Sequence, residues 1–325
     1  MKSSSRFFPA RLMSAEVQQG LAEDVYLIKP NNSPDKSVEL ALTHLSSLKG
    51  GIAEISEGPT LVLVHGSYQN RRLWWSESGE CLAKTLIDLG VDVWLLEFRG
   101  HGLSPVNQCY DYNTLEDYAR YDLPAVEQFV SEQSGRAVNW FGYGTGAGAL
   151  LGSLALGAIS VNSGGLVIGA GVPFCRSLWT RIPVVSTLLA AGKAKMDLQV
   201  GPEPEPVSYL QGLIKENQWF SRRGESLGLD LWGELAVSGR LIHWFGSDEA
   251  MPQLDEGFKE LQKQGVLVGM FDSDSMDEEL SQSLVFPTLT DPVKVASLSA
   301  DIANLLVTGG ESNRVLSTGE ATSAA

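Results

Sequence analysis

The stretch VNWFGYGTGAGALLGSLALG, residues 138–157, passes from an apolar run through a cluster of glycines into a helix-like segment of small residues. A G-x-S-x-G turn in that setting is a nucleophile elbow. It lifts a hydroxyl out of a sheet at a sharp strand-to-helix bend and points the helix's first amides at the reacting oxygen. Here the five residues are Gly142-Tyr143-Gly144-Thr145-Gly146, so the nucleophile's place holds glycine, which has nothing to attack with. Thr145 has a hydroxyl, but a one-residue offset turns its side chain away from the bend. The next serine, Ser153, lies about two turns into the helix.

Nucleophilic acyl transfer also needs a histidine to take the proton and an acid to orient that histidine. The chain has four histidines: His44, His65, His101 and His243. His44 and His243 fall within strand patterns and are expected to be packed or at a sheet edge. His65 and His101 belong to two Gly-containing turns, LVHGS and FRGHGLS. The segment MFDSDSMDEELSQSLVF, after the last expected strand, has no histidine. An acid has two candidates in FGSDEAMP, namely Asp248, with Pro252 following it, and Glu249. Without a histidine, such a carboxylate reads as a solvated turn residue or a helix N-cap.

Backbone groups survive these losses. The amides of Ser67 and Thr145 are expected to form an oxyanion-like pair. A helix N-terminus adds about half a positive charge, which favours a carboxylate or carbonyl oxygen. Gly144 leaves open the volume a serine would fill. The expectation is therefore no catalytic residue, no metal, no cofactor and a small apolar or acyl-type ligand held by Ser67 and Thr145, or else a protein partner. The alternative is an ester hydrolase or acyltransferase with relocated machinery, in which Ser67, Ser104 or Cys109 acts near His65 or His101. The D-x-D start of DSDSMDEEL lacks the glycine and the terminal glutamate of a calcium loop. The glycine cluster follows a late strand rather than the first, unlike a dinucleotide fingerprint. GPEPEP, residues 201–206, reads as a stiff turn or linker.

The elements that must position these residues follow an alternating pattern. Strand-like runs at 24–30, 38–45, 60–67 and 91–102, then the elbow and 164–171, are followed by strands at 239–249 and 266–272. Helical patterns lie between them, including 73–90 and a Pro124-containing helix before the elbow. Repeated strand–helix units with two-sided apolar strands predict an α/β fold. Its mostly parallel sheet would have about eight strands, with helices on both faces. Residues 172–236 change to helical stretches with no clear strand, and are expected to form a lid carrying Trp179, Trp219, Phe220 and Trp232. The expected division is a disordered N-terminus at 1–19, a core at 20–171 and 237–308, the lid at 172–236, and a disordered tail at 309–325.

The 325 residues carry 24 basic and 39 acidic side chains, a net charge of −15, which disfavours nucleic acid and anionic membrane surfaces as partners. No charged residue interrupts 137–175, yet glycines and asparagines break the run. A buried strand–helix–strand unit explains this better than a transmembrane helix. Three cysteines without metal-like spacing fit a reduced, cytoplasmic chain.

On these residues the chain resembles the α/β-hydrolase superfamily. LVHGS is similar to its oxyanion turn and FRGHGLS to its Arg-Gly-His-Gly turn. YARYDLPAVEQFVSEQSGRAVNWFGYGTGAG resembles the helix and elbow of acid-lipase and esterase-like members. FGSDEAMP looks like the turn carrying the triad acid. The elbow alone is also locally similar to that of N-myc-downstream-regulated proteins, which are considered non-catalytic. The resemblance implies a degenerate triad, a pseudoenzyme in a lipase-like frame.

Overall fold

The structure, a computed structural model, describes residues 8–54, 56–76, 81–159, 167–170, 201–209, 225–226, 229–237, 242–246, 268–272 and 292–308. Its strands are β1 (Ala10–Gln18), β2 (Leu21–Ile28), β3 (Leu40–Lys49), β4 (Ile52–Ala53), β5 (Thr60–Val64), β6 (Asp92–Glu97), β7 (Val138–Tyr143) and β8 (Val167–Ala170), then β9 (Glu225–Ser226), β10 (Leu229–Asp230), β11 (Ile242–Gly246) and β12 (Val268–Asp272). The helices used below are α1 (Leu82–Asp88), α2 (Leu123–Ser134), α3 (Thr145–Ala155), α4 (Leu231–Val237) and α5 (Pro292–Thr308).

The main sheet runs β1-β2-β3-β6-β5-β7-β8-β11-β12, with β4 on β3. The first three strands form an antiparallel meander, and β6, β5, β7, β8, β11 and β12 are parallel. Both faces are covered, which is why the central strands are continuous apolar runs. In β5, Val62 and Val64 join the core beneath α2 and α3, while Leu61 and Leu63 join the core beneath α1 and α5. In β6 the same alternation sends Trp94 and Leu96 one way and Val93 and Leu95 the other.

The α/β architecture agrees with the sequence reading, with three local differences. Residues 10–18, within the segment expected to be disordered, form β1. It pairs along β2 through a tight turn at Gln19 and Gly20, both at positive φ, and its outer residues stay exposed. The helix expected over 73–90 is shortened to α1, because Leu73, Trp74 and Trp75 are buried at the end of a 3-10 turn. Within 172–236, β9 and β10 form a small antiparallel ladder where no strand was expected. The tail at 309–325 lies outside the described residues, as do Trp179, Trp219, Phe220 and the side chain of Trp232. Among the described residues, no helix is long and apolar enough to cross a membrane. The uncharged run instead supplies β7, α3 and β8 of the sheet.

Candidate functional site

Parallel neighbours β6, β5 and β7 end side by side, so the turns that follow them meet at one edge of the sheet. The turn after β7 is the elbow. Gly144 has φ 54° and ψ −122°, a conformation that residues with a Cβ adopt only under strain. Its flanking glycines are required by contact. A Cβ on Gly146 would lie 2.3 Å from the His65 carbonyl oxygen, and one on Gly142 would lie 2.7 Å from the Ala147 backbone. α3 can therefore start close against both β7 and the turn after β5. The frame of a nucleophile elbow is intact, and its centre is bare.

The turn after β6 is organised by Glu97, whose carboxylate accepts from Arg71 N–H (3.2 Å) and Leu103 N–H (3.0 Å). A Cβ on Gly102 would collide with that carboxylate. Behind it, Arg99 Nε donates to Asp122 (3.0 and 3.1 Å) in a fully buried ion pair. Asp122 closes a π-helical turn, Tyr118–Asp122, that leads directly into α2, with Pro124 just after that turn. The same wide turn delivers Tyr118, stacked on Phe98 at 4.4 Å.

His65 and His101 sit together here with ring centroids 5.2 Å apart, and each ring already faces partners in the surrounding turns. His65 Nδ1 donates to the Gly66 carbonyl (2.8 Å) and its Nε2 accepts from Phe98 N–H (3.1 Å). Burial, and then the neighbouring His101, push its pKa down to about 3. His101 Nδ1 lies 3.2 Å from the Arg99 carbonyl, and its Nε2 lies 3.3 Å from Glu205 Oε1, an ion pair not aligned as a hydrogen bond. Burial opposes its charge, but the Glu205 carboxylate, the Arg99 carbonyl and Glu203 together hold its pKa above the ordinary value.

The other two histidines are elsewhere. His44 Nε2 meets Asp92 Oδ1 at 2.7 Å at the opposite end of the sheet, where Thr60 and Arg136 also bind Asp92. His243 is buried on β11.

Ser67 and Thr145, the two residues expected to offer an oxyanion-like pair of amides, are neighbours here, with their hydroxyls 2.8 Å apart. Of the relocated candidates, Ser67 Oγ also touches the Tyr209 hydroxyl (2.6 Å). Ser104 Oγ donates to the Glu97 carbonyl and accepts from Ala41 N–H, which ties β3 to the turn. Cys109 is exposed. Asp248 and Glu249 lie outside the described residues. Ser153 is buried within α3.

Residues 201–206, read as a stiff turn or linker within the segment expected to be a lid, continue through Tyr209 and pack against the turns of the site. Gly201 packs on the Tyr68 carbonyl, where a Cβ would lie at 2.2 Å, and Glu203 N–H donates to that same oxygen (3.2 Å). Asn70 Nδ2 donates to Glu203 Oε1 (2.5 Å), and the Tyr110 hydroxyl donates to the Pro204 carbonyl (2.9 Å). From this anchored stretch Glu205 turns inward. Its Oε1 accepts from Tyr68 N–H (2.5 Å), and its side chain is 1% exposed. Tyr209 follows, buried at 2% and tilted against Tyr118 at 5.6 Å. The gap left between these groups is too small for a water molecule. His101 Nε2, the Tyr118 hydroxyl and Glu205 Oε2 are buried around it with no hydrogen-bond partner. Sequence reasoning missed Tyr118, Glu205 and Tyr209. A glutamate between prolines in a strand-poor stretch was the only available signal.

With this geometry in view, the comparisons agree on the class. The model of the "Alpha/beta hydrolase family" matches residues 61–316, and the chain belongs to that family. It is similar to the tear acid lipase-like protein of Mesocricetus auratus, 27% identical over 46% of this chain and 35% of the relative. It also resembles human lipase member K, 35% identical over 24% of this chain and 22% of that protein. The matched region thus spans about a quarter to a third of these relatives' length. A haloalkane dehalogenase variant from Bradyrhizobium elkanii shares the fold, with TM-score 0.50, 11% identity and coverage of 93% of this chain and 97% of that one.

Proposed function

We propose that this chain is a non-catalytic member of the alpha/beta hydrolase family that binds a small apolar or acyl-type ligand at the former reaction centre. One observation carries this reading: the elbow keeps its strained backbone around a side-chain-free Gly144, while in the neighbouring turns His65 Nε2 accepts from Phe98 N–H and His101 Nε2 faces the Glu205 carboxylate. Members of a catalytic triad act as a unit, so loss of nucleophile and base together removes nearly all triad catalysis. An acyl-type ligand is supported by the retained turns, the aromatic walls of Phe98, Tyr118 and Tyr209, and relatives named as lipases. Treatment with a serine-reactive fluorophosphonate, followed by mass-spectrometric mapping, tests it. No adduct is expected; saturable labelling of one serine, Ser67 included, overturns the reading in favour of relocated hydrolase chemistry.

A further inference from the structure

The groups that hold Glu205 make a carboxylate seat. Tyr68 N–H and His101 Nε2 converge on a single carboxylate oxygen, the first as a hydrogen-bond donor and the second at 3.3 Å as an ion-pair partner when its ring is protonated. Tyr68 is held at φ 61°, a left-handed conformation rare for a residue with a Cβ, in the turn that presents this amide. A backbone amide that donates to a charged acceptor makes one of the stronger polar contacts in a protein.

Glu205 nevertheless fits its seat incompletely. Its second oxygen and the Tyr118 hydroxyl are buried in the same small space without partners, and buried polar groups are otherwise nearly always paired. The strap fixes where the glutamate can reach: Glu203, Pro204 and Gly201 are all pinned to the outer turns, and Glu205 must hang from that short length. An untethered carboxylate has no such restriction. It can use both oxygens, one on Tyr68 N–H and His101 and the other on the Tyr118 hydroxyl. Next to the seat, the Tyr209 ring occupies an aromatic slot against Tyr118, with Phe98 stacked behind, a surface suited to a hydrocarbon chain.

Resting on the non-catalytic reading above, we infer that residues 201–209 are a displaceable internal stand-in for the ligand, and that the ligand is an aliphatic monocarboxylate. Its headgroup replaces Glu205 on Tyr68 N–H and His101, its chain replaces the Tyr209 ring, and its binding releases the strap. No covalent step is involved.

Calorimetric titration of the full chain with decanoate, and with 1-decanol as the uncharged match, tests this alongside hydrogen–deuterium exchange over 201–209. Glu205→Gln removes the competing charge and is expected to bind decanoate at least ten-fold tighter than the wild type. Decanoate is expected to raise exchange in 201–209 of the wild type, and decanol is not. Tyr209→Phe drops the Ser67 contact but keeps the ring; it is expected to gain about three-fold and serves if Glu205→Gln does not fold. Equal decanoate affinity in wild type and variant, decanol binding as tightly as decanoate, or an unchanged strap each overturns the inference. A fluorophosphonate adduct would instead overturn the non-catalytic reading, and the inference with it.

Discussion

His65 and His101 face each other with ring centroids 5.2 Å apart, yet their protonation equilibria move in opposite directions. Both are buried. The difference lies in what each nitrogen meets: two backbone groups at His65, a carboxylate at His101. The first needs a neutral ring, because Nε2 accepts a hydrogen bond, and the second favours a charged one.

Stability should therefore fall on both sides of a window. His65, depressed to about 3, contributes stability that is present above its unfolded value of about 6.5 and lost as pH falls towards 3. Asp92, whose pKa is lowered against its burial by bonds from His44, Thr60 and Trp94, adds to that acid loss as pH falls below the ordinary carboxylate range. His101, raised, contributes stability fully present below about 6.5 and lost as pH rises through its folded pKa. Urea unfolding across pH 4 to 9 checks this. His65→Gln should flatten the acid limb and His101→Gln the alkaline limb, with each tenfold change in proton affinity worth about 1.4 kcal/mol. After correction for the intrinsic rise of amide exchange with pH, protection at 201–209 should fall on the alkaline side in the wild type and not in His101→Gln.

Gly146→Ala should lower stability by about 1–3 kcal/mol or more, through overpacking against a backbone that cannot step aside. Its Cβ would meet the His65 and Val64 carbonyl oxygens at 2.3 and 2.9 Å. Thermal unfolding followed by circular dichroism measures this directly; an unchanged melting temperature would contradict the described approach of α3 to β5.

Gly144→Ser should restore the G-x-S-x-G spelling without restoring chemistry. The added Cβ has to occupy φ 54° and ψ −122°, at a cost of about 1–3 kcal/mol. Hydrolysis of p-nitrophenyl butyrate should stay at the background rate, because His65 Nε2 is taken by Phe98 N–H and His101 Nε2 faces Glu205.

Asp122→Ala should cost about 3–5 kcal/mol, since it leaves the Arg99 guanidinium buried without its counter-charge. Replacing both partners, as Arg99→Met with Asp122→Leu, should recover much of that loss. A double-mutant cycle in urea measures the coupling. Decanoate titration of the same variants shows whether the π-helical turn still sets Tyr118 in place.

The glycine frame was legible in the sequence because its reasons are local. Gly142, Gly144 and Gly146 serve a single bend and the helix that follows it within a few residues. The alternating cores of β5 and β6 were legible for the same reason, as runs of two-sided apolar strand. β1 escaped notice because it is buried on neither face and owes its existence to pairing with β2. Glu205 was opaque for a different reason. Its partners Tyr68 and His101 lie more than a hundred residues earlier, and nothing in GPEPEP distinguishes a carboxylate bound for the interior from one bound for water. Tyr118 was hidden likewise, since a π-helical turn leaves no mark on an amphipathic pattern.

Because Glu205 belongs to the same chain as its seat, it competes at an effective concentration on the order of millimolar, whatever the bulk solution contains. Short, freely diffusing acids such as acetate match its headgroup but bring no added contact, so they leave the occupant where it is. The covalent tether thus sets a threshold, and only a molecule that adds substantial greasy surface to the same anionic tip can cross it.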